Sequence, residues 1–167
     1  FKGAETIDDI DRIKLEPMSE QDLDFIEQEV QNLYEQTDKA ILLAFGGNIF
    51  ETGQMSFGYE DFYVNILAEP DLMHYFFNKI VQLHLKNLKA LMPRVAPYSP
   101  IIQFGDDLGT QINAQISVET YREMIKPYHA CQYQYIQNNY PNCKVFLHCC
   151  GAIASLIPDL IDAGVQV

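Results

Sequence analysis

The sequence has few basic residues and no cluster of them. Lysine and arginine total 11, against 23 aspartates and glutamates, and the formal net charge is −12 at pH 7. Nucleic acids and anionic membranes are bound through basic patches, so this composition argues against both as partners. The chain also contains no apolar run long enough to cross a bilayer.

Cysteine is scarce for a chain of this length. The four cysteines do not make a disulfide framework among 167 residues (Cys131, Cys143, Cys149 and Cys150). The adjacent pair Cys149 and Cys150 could be bridged only with strain. The N-terminus lacks the basic segment followed by an apolar segment that marks a secreted protein. We therefore expect a reduced, cytoplasmic protein.

The two ends of the sequence are unusual. The chain begins with Phe1 rather than methionine, and it ends at Val167 in what reads as the start of a strand. Its 167 residues, of which 48% are hydrophobic, are enough for one domain with a sizeable core. We expect a single partial domain over residues 1–167, truncated at both ends, that is an internal fragment of a longer protein.

Short apolar runs alternate with longer amphipathic segments along the chain. The apolar runs predict strands that are buried on both faces, at 40–45, 101–104 and 144–147, with a fourth beginning at 165–167. Amphipathic periodicity predicts helices over about 19–34, 59–67, 70–92, 117–139 and 152–163, and residues 46–58 are predicted to be a loop. This alternation is typical of a parallel α/β sheet. Three strands and the start of a fourth make about half of a (β/α)8 barrel, which takes about 250 residues.

Polar residues cluster where the predicted strands end. Gly47 and Asn48 follow the first strand, Gln103 lies near the end of the second, and Asp106 and Asp107 follow it. Both barrels and open α/β sheets place their sites at the carboxyl ends of the strands. Two carboxylates there suit a base, a substrate anchor or a metal ligand, although a turn-forming aspartate is the simpler alternative.

The segment KVFLHCCG at 144–151 carries the strongest chemical signal in the sequence. Side chains alternate along a strand, which places His148 and Cys150 on one face and Cys149 on the other. An imidazole beside a thiolate suits a soft tetrahedral metal such as zinc, which needs a third protein ligand. Gly151 lets the chain turn sharply and lets a ligand approach the backbone. A core histidine beside two buried free cysteines is the alternative interpretation.

The remaining histidines are assigned no function. His74 and His84 lie on the predicted helix 70–92 and are interpreted as surface or boundary residues. His129 and Cys131 lie on the predicted helix 117–139, which Pro127 should kink or divide, and both are interpreted as structural.

Four segments together resemble the uroporphyrinogen decarboxylase superfamily, and most closely its branch of cobalamin-dependent methyltransferases. They are FGGNIFETGQ at 45–54, QFGDDLGTQ at 103–111, YREMIKPYH at 121–129 and VFLHCCGAIASLIPDLIDAGV at 145–165. The resemblance covers most of the chain after about residue 38. It implies a (β/α)8 barrel, of which this chain is about half, with its site at the carboxyl ends of the strands.

The resemblance to the methyltransferase branch implies a zinc site and a corrinoid. His148 and Cys150 would be two zinc ligands, and a cysteine beyond Val167 would be the third. Zinc lowers the pKa of a thiol, so that a thiolate forms at neutral pH and attacks a methyl group. The resemblance implies that the methyl group is carried by a corrinoid (cobalamin) on a partner protein.

The same resemblance implies roles for the polar residues at the strand ends. Asp106 and Asp107 are the candidate catalytic residues, and Asp106 would orient a ligand or contact the substrate. The candidate substrate-binding residues are Gln103, Gly47 and Asn48. A small-molecule methyl acceptor or donor is the expected substrate.

Two other functions remain open at this point. Decarboxylation of a porphyrinogen needs cations to hold several substrate carboxylates, whereas the only arginines are Arg12, Arg94 and Arg122. An inactive fragment, or a non-catalytic module that binds a corrinoid or a partner, is the third hypothesis. Half a barrel leaves sheet edges unpaired, so we expect a homodimer or pairing with the missing half. Of the three functions, methyl transfer is favoured.

Overall fold

Three parallel strands form the sheet in this protein. The structure, a computed structural model, describes residues 3–167. The strands lie side by side in chain order and are β1 Leu42–Gly46, β2 Ile101–Gly105 and β3 Lys144–His148. All three coincide with the predicted strands to within two residues. The prediction of a parallel α/β fold, consistent with part of a (β/α)8 barrel, is confirmed.

Eight α-helices are present among the described residues. They are α1 Ile7–Asp11, α2 Glu20–Gln36, α3 Phe50–Phe57, α4 Tyr59–Ala68, α5 Pro70–Val95, α6 Val118–Thr120, α7 Lys126–Asn139 and α8 Ile157–Ala163. Ser19 caps α2 in a capping box with Asp22, as the sequence predicts. No helix in this part of the chain is both long enough and apolar enough to cross a membrane.

The sheet is covered more completely on one face than on the other. Along β2, Ile102 and Phe104 are fully buried, whereas Ile101, Gln103 and Gly105 are only partly buried. The buried side chains pack in the same core as α2, α5 and α7. The prediction that the strands are buried on both faces is therefore wrong for the described chain, because these helices cover one face only. The opposite face, which we call the open face, carries Gln103 and Gly105 on β2.

Residues 46–58 were predicted to be a loop, and most of them form helix α3 instead. The helix is held by tertiary contacts that local sequence does not show. Phe50 packs edge-to-face on Phe62 of α4, with 5.1 Å between ring centroids. Gly53 allows this packing, because a Cβ at that position would lie 2.2 Å from the Phe62 ring. The start of α3 is thereby fixed next to the end of β1.

Three of the prolines, Pro93, Pro127 and Pro158, have different effects on the helices that contain them. Helix α5 continues through Pro93 to Val95, beyond the predicted end near Met92, because Met92 and Val95 are both buried in the core. Pro158 occupies the first turn of α8, so the helix begins at Ile157, later than the predicted start at 152. Pro127 follows a π-helical turn, Tyr121–Ile125, that divides the predicted helix 117–139. A proline cannot donate to the carbonyl four residues back, and the wider turn absorbs this loss.

Residues 165–167 were predicted to begin a fourth strand. Their backbone bonds to β3, with the Leu147 N–H donating to the Val167 carbonyl at 3.1 Å and the Gln166 N–H donating to the Val145 carbonyl at 2.9 Å. They run beside β3 on the side away from β2, although these residues are not assigned as a strand.

Candidate metal centre

The carboxyl edge of the sheet brings Asp107, His148 and Cys150 together. One ligand atom from each of these side chains lies within 4.8 Å of the other two. The register explains the cluster, because Gly105 of β2 pairs with His148 of β3 on the open face. Asp107 and Cys150 each lie two residues further along, so both again face the same side. We call these three residues the metal cluster.

The metal cluster fits the requirements of zinc. The His148 Nε2 and Cys150 Sγ atoms lie 3.3 Å apart. Zinc bonds of about 2.0–2.1 Å to nitrogen and about 2.3 Å to sulfur place tetrahedral ligands about 3.5 Å apart, which this spacing matches closely. Both side chains are exposed, so an ion can reach them. The Asp107 carboxylate lies in the same cluster, and the predicted third zinc ligand, a cysteine beyond Val167, stays a prediction.

The Asp107 carboxylate also controls the protonation of the Cys150 thiol. Its oxygen Oδ1 accepts a hydrogen bond from the backbone N–H of Cys150 at 2.7 Å. A hydrogen bond from the thiol to Asp107, followed by the negative charge of that carboxylate, raises the pKa of Cys150 above its ordinary value. Metals bind the thiolate, so loading this site with a cation releases a proton.

Cys149 lies outside the metal cluster, as the strand alternation predicts. Its sulfur accepts a hydrogen bond from the Leu108 N–H at 3.2 Å, and the side chain is partly buried. Burial raises the pKa of the Cys149 thiol to about 11, so this cysteine is protonated at neutral pH.

Asp106 points in the opposite direction from Asp107, into the protein. Its side chain has no exposed surface. The carboxylate accepts hydrogen bonds from the N–H groups of Ile49, Phe50 and Glu51 at 2.9, 2.7 and 2.8 Å. It thereby caps helix α3, whose own N-cap residue makes no side-chain bond. Asp106 therefore holds the start of α3 against the end of β2, and its predicted roles in catalysis, ligand orientation or substrate contact stay predictions.

His129 completes the environment of Asp106. Its Nε2 lies 2.9 Å from Asp106 Oδ2, its Nδ1 lies 3.1 Å from the Tyr121 hydroxyl, and its ring stacks on Tyr133. His129 is completely buried, and its assignment as a structural residue stays a prediction. Its partnership with Asp106 was missed. The only signal in the sequence was its place in the YREMIKPYH segment, because the contact depends on the folding of the π-helical turn.

Glu51 is a second residue whose position was missed. Its carboxylate accepts hydrogen bonds from the backbone N–H of Asp107 at 3.1 Å and from the Asn48 side-chain amide. The sequence places Glu51 in the segment after β1, but nothing in the local pattern links it to Asp107.

The predicted substrate-binding residues lie outside the metal cluster. Asn48 donates its side-chain amide to Glu51. The Gly47 carbonyl accepts a hydrogen bond from the Gln132 side chain at 3.0 Å. Gln103 lies on the open face of β2, paired with Ala44 of β1 and Phe146 of β3. Their role in substrate binding stays a prediction.

Two glycines allow the segments after β2 and β3 to touch. Gly151 has a φ of +89°, and a Cβ there would lie 2.5 Å from the backbone carbon of Gly109. A Cβ on Gly109 would in turn lie 2.7 Å from the Cys150 carbonyl oxygen. The sharp turn predicted at Gly151 is confirmed. The group that approaches its backbone here is the facing chain at Gly109.

The fold and the cluster together define an α/β protein with a candidate site at the carboxyl edge of a parallel sheet. The family model described as uroporphyrinogen decarboxylase (URO-D) matches residues 2–167. The chain therefore belongs to the uroporphyrinogen decarboxylase family, which confirms the superfamily part of the resemblance and suggests enzyme activity in general. A search of curated proteins found no match.

Proposed function

We propose that this protein is a zinc-dependent methyltransferase that moves a methyl group between a corrinoid on a partner protein and a thiol or similar small-molecule acceptor. The observation that carries the proposal is the metal cluster of Asp107, His148 and Cys150 at the carboxyl edge of the sheet. A nitrogen, a sulfur and a carboxylate oxygen are three donors, and a catalytic zinc site needs three with a fourth position left open.

Each residue of the cluster has a definite role in the proposal. His148 and Cys150 would hold the ion, and Asp107 would be the third donor. When bound, zinc supplies a Lewis acid that lowers the pKa of an acceptor thiol. The exposure of His148 and Cys150 leaves the open face accessible to an acceptor. The partly buried Asp107 is restrained by its bond to the Cys150 N–H, which keeps the three donors close without an ion.

The charge distribution supports methyl transfer over porphyrinogen decarboxylation. The segments that follow the three strands, 46–58, 105–117 and 148–156, contain no lysine or arginine. All three arginines lie in ion pairs elsewhere: Arg12 with Asp9, Arg94 with Glu20 and Asp24, and Arg122 with Asp159. A substrate with several carboxylates needs free cations. Within the described chain, these segments carry the acidic residues Glu51, Asp106 and Asp107 in place of cations.

Zinc content tests the proposal directly. We expect about one zinc per purified chain by mass spectrometry of the metal, and loss of that zinc in His148→Ala and in Cys150→Ser. Cys131→Ser is the matched control, because Cys131 is an exposed cysteine on α7 away from the strand ends and should leave zinc unchanged. A wild-type protein without zinc would overturn the proposal.

An activity assay distinguishes the catalytic proposal from a binding module. Incubated with methylcobalamin and an alkyl thiol, the zinc-loaded protein should consume methylcobalamin and form the methyl thioether. Zinc binding without any thioether would favour a non-catalytic corrinoid- or partner-binding role. Decarboxylation of a porphyrinogen by the same preparation would replace the proposal with the alternative activity.

A further inference from the structure

Glu51 lies between the first strand and the metal cluster, in the first turn of helix α3. Its backbone N–H is one of the three that donate to the buried Asp106 carboxylate, at 2.8 Å. The start of α3 is therefore attached to the end of β2 through a side chain with no exposed surface. This attachment fixes the backbone of Glu51 relative to the end of β2.

The Glu51 side chain makes a second hydrogen bond to the segment after β2, and in this bond Glu51 is the acceptor. Its carboxylate accepts the N–H of Asp107 at 3.1 Å, while the neighbouring Asp106 accepts the N–H of Glu51. The same helical turn thus bonds to the Asp106 side chain and to the Asp107 backbone N–H. Rotation of the peptide between Asp106 and Asp107 would break the bond from the Asp107 N–H to Glu51, so that bond restrains the backbone that carries the Asp107 side chain.

Asp107 connects this arrangement to the third strand. Its carboxylate accepts the Cys150 N–H at 2.7 Å and lies in the metal cluster with His148 and Cys150. Glu51 lies outside that cluster but close to it. The bonds run without a break from the first strand end, through the second, to the third.

We propose that Glu51 is a positioning residue for the metal centre. By accepting the Asp107 N–H, it holds the Asp107 carboxylate in the cluster with His148 and Cys150 before an ion arrives. The inference rests on the proposed metal site, because it assigns Glu51 no contact with the ion or the substrate. Partners that orient metal ligands typically change metal affinity about 10–100-fold when they are removed.

Cobalt(II) titration tests the inference, with the cysteine–cobalt charge-transfer absorption as the readout. Glu51→Ala removes the acceptor and should weaken cobalt binding about 10–100-fold. Glu51→Gln keeps an oxygen that can accept the Asp107 N–H, and should stay within about threefold of wild type. Glu60→Ala is the matched control, because Glu60 is also an acidic residue in a helical first turn but is exposed on α4. It should leave cobalt affinity unchanged.

A measurement on the metal-free protein tests whether Glu51 holds Asp107 in place when no metal ion is bound. Hydrogen exchange of the Asp107 amide, followed by NMR, should be faster in Glu51→Ala than in wild type, Glu51→Gln or Glu60→Ala. Circular dichroism verifies that each variant is folded, and Glu51→Gln keeps the test decisive if Glu51→Ala does not fold.

The outcomes separate the two proposals. Wild-type cobalt binding that Glu51→Ala leaves intact would overturn the role of Glu51 and leave the metal centre standing. Equal weakening in Glu51→Ala and Glu51→Gln would show that the charge matters, and would overturn positioning through the hydrogen bond. A wild-type protein that binds neither cobalt nor zinc would overturn both proposals together.

Discussion

The Asp106 carboxylate and the His129 imidazole lie 2.9 Å apart, and neither side chain has any exposed surface. The same carboxylate accepts the N–H groups at the start of α3. A single buried side chain thus joins the end of β2 to two helices that are far from it in sequence. Buried carboxylates are costly unless they are fully hydrogen-bonded, and this one is.

Loss of Asp106 should be among the most destabilising single changes in the protein. Asp106→Ala leaves the buried N–H groups at the start of α3 and His129 without their acceptor. We expect the free energy of unfolding to fall by about 3–5 kcal/mol, measured by urea denaturation. Asp38→Ala removes an exposed carboxylate that pairs only with exposed Lys39, and should cost less than about 1 kcal/mol. Similar losses in both variants would contradict the structural role of Asp106.

The contact between Gly109 and Gly151 should make Gly151 less tolerant of a side chain than Gly58, a glycine with nearly the same φ. Gly151 and Gly58 have φ values of +89° and +88°, but a Cβ on Gly58 would meet nothing within 4 Å. Gly58→Ala should therefore cost only the backbone strain, on the order of 1–3 kcal/mol. Gly151→Ala should cost at least about 1 kcal/mol more, because the facing backbone must move.

Comparing Gly151→Ala with Gly58→Ala separates the destabilisation caused by the close contact with Gly109 from that caused by backbone strain. Unfolding in urea gives both free energies under the same conditions. Equal costs would show that the segments after β2 and β3 are not in close contact. Gly151→Ala should also weaken metal binding, because the displaced segment carries Cys150, whereas Gly58→Ala should not.

His84 should make the protein less stable as the pH falls below neutral. Burial lowers the pKa of His84 from its ordinary value of 6.5 to about 4, although a bond from its Nδ1 to the Gln132 side chain acts the other way. The unfolded chain then takes up a proton at higher pH than the folded protein does. The contribution of His84 is fully present above pH 6.5 and is lost as the pH falls toward 4.

The variant His84→Asn tests this pH dependence. Asparagine can still bond to Gln132 but has no group that titrates in this range. The stability of the variant, measured by urea unfolding, should fall less steeply than that of wild type between pH 6.5 and 4. Parallel curves for the two proteins would contradict the assignment.

Asp159 should affect the stability of the protein at a more acidic pH than His84 does. Hydrogen bonds from Arg122 and Lys126, at 2.9 and 2.8 Å, lower the pKa of Asp159 from 3.8 to about 2. Its contribution to stability is present above pH 3.8 and is lost as the pH falls through about 2. Asp159→Asn should therefore be less stable than wild type at pH 6, and the two should converge near pH 2. Asp38→Asn, at an exposed position, should not reproduce this convergence.

Local pattern was sufficient to predict the strands. Each of the three is a short apolar run bounded by glycine, proline or polar residues, and the prediction required no knowledge of distant contacts. Helix α3 was missed because its stabilising partners, the Asp106 carboxylate and the Phe62 ring, lie elsewhere in the chain. Strand burial was overestimated because an apolar run shows what a strand can bury and not how many layers cover it.

The candidate site could be predicted only in part, because some of its contacts are local in the sequence and others are not. Alternation along one strand sufficed to place His148 and Cys150 together and Cys149 apart, since their relation is local. The addition of Asp107 required the register between β2 and β3, which no local pattern states. The partnership of Asp106 with His129 required the π-helical turn that directs the helix after Tyr121.

Local sequence patterns were enough to predict the parallel α/β class, the location of polar residues at strand ends and the proximity of an imidazole and a thiol at one of those ends. These follow from side-chain periodicity and from short spacing, which act over a few residues. The different positions of the adjacent residues Asp106 and Asp107 depend on tertiary packing. Asp106 is buried beneath α3, and Asp107 lies in the metal cluster. That separation arises because one face of β2 is covered by helices and the other is open, and covering is a property of the assembled layers.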